Sequence, residues 1–210
     1  MKPINKLINC LVPQFSILVF SALLPISVSA TTLSGNLTAD DAFTVYLSTD
    51  DSIAGTPLVS GSFWPSAQSF STALTPGNTY YLHIAAKDVF GAPSAFLGSF
   101  SLSDTNFTFA NETQTLVSNS VDWKVNATGF GLAYNTPYDG FGANGIGPWG
   151  TMSSIASDAR WIWTGPSGTV GKAYFTATIT AVPEPETYVM LLAGLGLLGF
   201  MARCRKESTV

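Results

Sequence analysis

His83 is the only histidine among the 210 residues, so a serine-type hydrolase would have to be built on it. Such a site needs an accessible imidazole bonded to both a nucleophile and an orienting carboxylate. His83 instead lies inside the alternating stretch YYLHIAA, and no G-x-S-x-G elbow occurs anywhere in the chain. It reads as a structural or surface histidine, and no catalytic residue is assigned. One imidazole cannot make a histidine-rich metal site. Gly140-Phe-Gly142-Ala-Asn-Gly145 formally fits G-x-G-x-x-G, but Pro148 and Trp149 follow where a phosphate-binding helix would have to open. No cofactor and no metal are assigned.

Carboxylates and aromatics remain. Glycosidases use two carboxyl groups about 5–10 Å apart across a cleft. Between Thr31 and Ala181 the only glutamate is Glu112, beside nine aspartates. Asp40-Asp41 and Asp50-Asp51 are sequence neighbours, which a strand sends to opposite faces. They read as turn formers or as oxygen ligands for a hard cation such as Ca²⁺, without the D-x-D-x-D-G loop of a dedicated calcium site. Five tryptophans, Trp64, Trp123, Trp149, Trp161 and Trp163, occupy the same stretch. An exposed indole can stack on a sugar ring, but a buried one is ordinary core material. Trp161 and Trp163 share one face of an expected strand and read as core. Trp64 precedes Pro65 and Trp149 follows Pro148, so both are expected at surface turns. With Tyr134, Tyr138 and Asp139 they form the candidate carbohydrate-contact set.

The elements that must hold these residues are strands. AFTVYLS, YYLHIAA, FLGSFSL, FTFAN, VDWKVNA, ARWIWTG and KAYFTATIT alternate apolar and polar positions, and turn clusters such as TDDSIAGTP and TPGN separate them. No segment has apolar residues at helical spacing. The expectation is an all-β antiparallel β-sandwich or jelly roll of about eight or nine strands. Gly129 to Gly150 breaks the pattern, with seven glycines and two prolines in 22 residues. A loop this long usually carries function, and it is expected to pack on itself or to present a binding surface.

Only 10% of residues are charged, well below the roughly 25% of ordinary soluble domains. Residues 31–181 hold ten acidic and four basic residues (Lys87, Lys124, Arg160, Lys172). Nucleic-acid binding depends on clustered cations and is excluded on that balance. Cys10 and Cys204 are the only cysteines, so this middle region stands without a disulfide framework.

Both ends differ from the middle. Lys2 and Lys6 precede an apolar stretch that exits through Val28-Ser29-Ala30, the pattern of a signal helix cut by signal peptidase after Ala30. At the other end, Val182 to Thr187 is expected to be extended around its prolines. A short apolar helix over 188–202 follows, then Arg203, Arg205 and Lys206 as membrane-stop charges. Its 15 residues fall short of the ~20 of a full span, so a transient inner-membrane insertion is expected of this short transmembrane helix. The expected domain plan is residues 1–30, 31–181 and 182–210.

Two resemblances go with these features. Gly35 to Leu102 resembles galactose-binding-like β-sandwich modules of secreted bacterial proteins, through TADDAFTVYLS, Trp64, SFSTALTPGNTYYLHIAAKDVFG and AFLGSFSL. The spacing of Trp123 from DARWIWTG and KAYFTATIT also fits them. That resemblance implies a sugar-binding or a purely structural module. The tail closely resembles the PEP-CTERM sorting signal of Gram-negative bacteria, through Pro183-Glu184-Pro185, Thr187, the LLAGLGLLGF run and the basic end. It departs from that pattern in the RCRK form of its basic end and in the ESTV beyond it. The resemblance implies processing by an exosortase, a membrane-embedded transpeptidase, in polysaccharide-producing, biofilm-forming bacteria. The expected protein is therefore a membrane-anchored precursor that ends at the cell surface or in the extracellular matrix. There it would be a non-enzymatic structural or carbohydrate-associating module of exopolysaccharide. The alternative is a secreted polysaccharide hydrolase with an Asp-based site near the Gly-rich loop.

Overall fold

Leu33, Leu37 and Ala39 alternate with polar residues along the first strand, and this period of two repeats through the domain. The computed structural model describes residues 30–166, 171–183 and 185–207. The expected signal segment and Glu184 lie outside the described residues. Within the compact unit Ala30–Pro183 the strands are β1 (Thr31–Asp40), β2 (Ala42–Ser48), β3 (Thr56–Gly61), β4 (Gln68–Leu74) and β5 (Tyr80–Asp88). They continue with β6 (Ala95–Leu102), β7 (Phe107–Phe109), β8 (Thr115–Val117), β9 (Lys124–Asn126) and β10 (Gly171–Ala181). The described residues thus form ten strands, against the expected about eight or nine.

The strands form two antiparallel sheets. One has the order β4-β1-β6-β8, the other β3-β2-β5-β10-β7, with β9 also paired to β10. β7 and β9 share one edge of β10, meeting Ile179–Ala181 and Tyr174–Thr176 respectively. The inner faces meet in one apolar cluster. Leu33, Leu37 and Phe100 come from the smaller sheet, Val45, Leu82, Ile84 and Phe175 from the larger. Phe96 packs 5.4 Å from Trp123 and 5.1 Å from Phe175 across this interior. Gly35 is a spacing requirement there, because a Cβ at this position would run into the rings of Phe100 and Phe70.

A second cluster lies on the outer face of the four-stranded sheet. Ala95 and Leu97 of β6 alternate with core-facing Phe96 and are covered by Trp149, Met152, Ile155, Ala159 and Trp161. The Gly-rich segment is thus a strap with two anchor points. Phe130 packs on the outer face of the larger sheet, 4.0 Å from His83. Trp149 packs over the smaller sheet. ARWIWTG does not form the expected strand. Arg160, Ile162 and Trp163 make isolated bridges to Ala143, Phe96 and Tyr138, because their partners belong to the strap and to one residue of β6.

The C-terminal helix α1 (Pro185–Glu207) is a separate element. It begins earlier than expected. Pro185 and Thr187 are helical rather than extended, since proline is tolerated in a first turn whose N–H has no intrahelical partner anyway. Tyr188, Val189, Met190, Leu191 and Leu197 are all exposed, and at about 100° per residue they fall on every side of it. The expected transmembrane helix needs correction on one point: among the described residues no helix is long and apolar enough to cross a membrane. Residues 188–202 span ~22 Å at 1.5 Å per residue, against ~30 Å of hydrocarbon.

Candidate functional site

The five candidate carbohydrate contacts do not converge on one surface. Trp149 is only 3% exposed. Its ring stacks on Trp161 at 4.4 Å and meets the edge of Phe141 at 5.8 Å, while its Nε1–H donates to Asp40 Oδ2 at 2.8 Å. The surface position expected of Trp149 is therefore corrected. Its neighbours Pro148 and Gly150 turn the backbone, but the indole points down onto the sheet. Trp64 is half-buried against the same cluster, and its carbonyl accepts the Thr38 hydroxyl at 2.7 Å. Tyr138 is half-buried and edge-on to Phe141 at 5.0 Å. Asp139 is tied into the strap, with the Ser120 hydroxyl donating to Oδ2 at 2.8 Å. Arg160 Nε stands 3.2 Å from that oxygen, within ion-pair range but out of line for a hydrogen bond. Arg160 Nη2 donates to the Asp139 carbonyl at 3.1 Å.

Tyr134 lies at the other anchor, in a node that only the fold reveals. Its hydroxyl donates to Asp51 Oδ1 at 2.9 Å and accepts the Gly131 amide at 2.8 Å. His83 Nε2 and the Thr176 hydroxyl reach the same Asp51 oxygen at 3.1 and 3.2 Å. Burial is the main cause that pushes the Tyr134 phenol up to about 12, with the Asp51 carboxylate adding to it. His83 is fully buried, its ring under Phe130 and its Nδ1 3.2 Å from the Ala54 carbonyl. Of the two readings open for this residue, the structural one fits. Among the described residues the imidazole's hydrogen-bond partners are the Ala54 carbonyl and Asp51, not a serine or cysteine.

Acidic groups gather at the end of β1. Asp41 Oδ2 accepts the amides of Val89 and Phe90 at 2.9 and 3.2 Å. Asp88 accepts the amides of Phe90 and Gly91 and a short bond from the Ser94 hydroxyl. Burial raises Asp40 from 3.8 to about 6, aided by Asp41 and Asp88 and opposed by the Trp149 bond. Among the described residues no group of three or more His, Cys, Asp or Glu is arranged to hold a metal ion.

At the C-terminal end of the β unit, the Val182 amide donates to the Asn106 carbonyl at 2.8 Å. Val182 and Pro183 are exposed and non-helical, and α1 opens two residues later. Pro183 thus closes the β unit and Pro185 opens α1. Arg203, Arg205 and Lys206 fall in the last turns of α1. No curated protein and no solved structure matches the chain. The tail does match: residues 181–206 fit the family described as the PEP-CTERM protein-sorting motif, so the chain carries a C-terminal protein-sorting signal.

Proposed function

We propose that this is an exported bacterial protein, cut by an exosortase in the Pro183–Thr187 region and delivered to the cell surface or extracellular matrix. There its β domain serves as a non-enzymatic module in exopolysaccharide or biofilm. The observation that carries this reading is the sorting motif at residues 181–206, laid over an exposed Pro183 and an all-round apolar helix. A helix whose apolar run is too short to span partitions into the membrane only partly, which suits a segment held there for processing rather than as a lasting anchor. Signal peptidase would remove the N-terminal leader first. The two-layered antiparallel arrangement is compatible with a galactose-binding-like module, and carbohydrate association rests on that likeness and on the aromatic content of the strap.

Intact-mass spectrometry of the exported protein tests the sorting claim. A product ending between Pro183 and Thr187 in cells with a functional exosortase, and a longer one without it, is expected. A mature product still ending at Val210 in both backgrounds refutes it.

The raised carboxyl of Asp40 favours a second reading, an Asp-based polysaccharide hydrolase. Yet Asp40 and Asp41 are adjacent in the chain, whereas glycosidase pairs face each other about 5–10 Å apart with substrate between them. Asp40 is also engaged by a buried indole. The non-enzymatic reading is preferred on those grounds.

A further inference from the structure

Three of the four cationic residues between Thr31 and Ala181 lie on one surface of an otherwise acidic domain. Leu82, Ile84 and Ala86 of β5 face the core, as do Ala173, Phe175 and Ala177 of β10. Alternation therefore sends Lys87 and Lys172 to the outer face of the six-stranded sheet, and the ladder sets them directly opposite each other. Lys124 pairs with Thr176 farther along the same face. Like charges in opposed positions destabilise a sheet. Neither Lys87 nor Lys172 forms an ion pair with a carboxylate among the described residues.

The two lysines edge a groove of about 330 Å³ whose remaining walls include Tyr46, Phe130, Tyr174 and Thr128. Phe130 meets Tyr46 at 6.4 Å and Tyr174 at 5.1 Å, both edge-on, so the aromatic wall is braced by the strap. The volume sits at the small end of the ~300–1,000 Å³ usual for ligand sites. Aromatic faces beside paired ammonium groups suit an anionic pyranose: the ring packs on the aromatics while its carboxylate takes charge-assisted hydrogen bonds. Two ammonium groups match one carboxylate but are too few to hold the successive phosphates of a nucleic acid, and the groove is a local exception in an acidic surrounding.

We propose that the Lys87–Lys172 groove is a binding subsite for a uronate residue of an acidic extracellular polysaccharide. The proposal rests on the reading that the β domain associates with carbohydrate, and moves the contact away from the buried Trp149. Native electrophoresis of the full chain through gels containing polygalacturonate or neutral dextran tests it. Retardation by polygalacturonate alone is expected, weakening with added salt. A K87Q/K172Q double variant should lose about ten-fold or more in affinity. K124Q, on the same face but outside the groove, should stay within about two-fold. The double variant removes an unfavourable cross-strand contact, so its melting temperature should not fall. Equal loss in K124Q overturns the groove in favour of diffuse surface charge. Retardation by dextran alone, unchanged in the double variant, overturns the uronate subsite and leaves carbohydrate association standing. No retardation in either gel overturns both.

Discussion

Asp40 keeps its proton up to about pH 6 because burial penalises the carboxylate and Asp41 and Asp88 add like charge, against the pull of the Trp149 indole. A carboxyl with a raised folded pKa contributes its stability in full below 3.8 and loses it as pH rises through about 6. The melting temperature should therefore climb as pH is lowered from about 7.5 to about 5. Asp40→Asn keeps an acceptor for the indole without the charge. It should be more stable than wild type at neutral pH by up to about 1 kcal/mol, or about 2–4 °C, after allowance for solvent screening. That gap should close towards pH 4, and a pH-independent gap counts against the assignment. Asp50, held low by the Ser52 hydroxyl and amide, acts in the opposite sense and only as pH falls below 3.8, outside this window. Trp149→Ala should cost about 3–5 kcal/mol in chemical denaturation, and clearly more than Trp64→Ala. Equal losses would argue that Trp149 is not the keystone of the second cluster. The turn around Trp149 was legible from Pro148 and Gly150; the direction of its side chain was not, because a turn constrains the backbone and leaves packing to decide where an indole goes.

Among the elements, β2, β5, β6 and β10 announce themselves through alternation, since each has one face on the core. β1 was harder to see, with its polar Thr, Ser and Asn positions, yet it lies between β4 and β6. There Gly35 faces Phe70 on one side and Phe100 on the other. Gly35→Ala should cost about 1–3 kcal/mol through overpacking, measurable as a lowered urea midpoint; an unchanged midpoint would mean that the two rings can move aside. Residues 160–163 have strand-forming side chains but no continuous partner, so their pattern predicts burial correctly and pairing incorrectly. In the tail, β10 ends at Ala181 and Val182 and Pro183 are non-helical, whereas Pro185 starts α1. A proline's fixed φ suits a first helical turn as well as an extended segment, and the apolar run beyond it settles which.

For the whole molecule, two sheets and a strap stand without covalent staples. Neither Cys10 nor Cys204 belongs to the β domain, so its melting temperature should be the same with and without dithiothreitol. A reductant-sensitive transition would mean that cross-linking of the ends contributes to stability. Local signals, the period-two alternation and the Pro-Glu-Pro step with its apolar run, determined by themselves that the chain is β-rich and carries a sorting motif at residues 181–206. Each of these depends on residues close together in sequence. Tertiary structure alone decided that Lys87 meets Lys172, that Asp51 joins His83, Tyr134 and Thr176, and that Trp149 is buried. These groupings unite residues up to 125 positions apart, through strand register and loop packing that depend on which faces find an apolar partner.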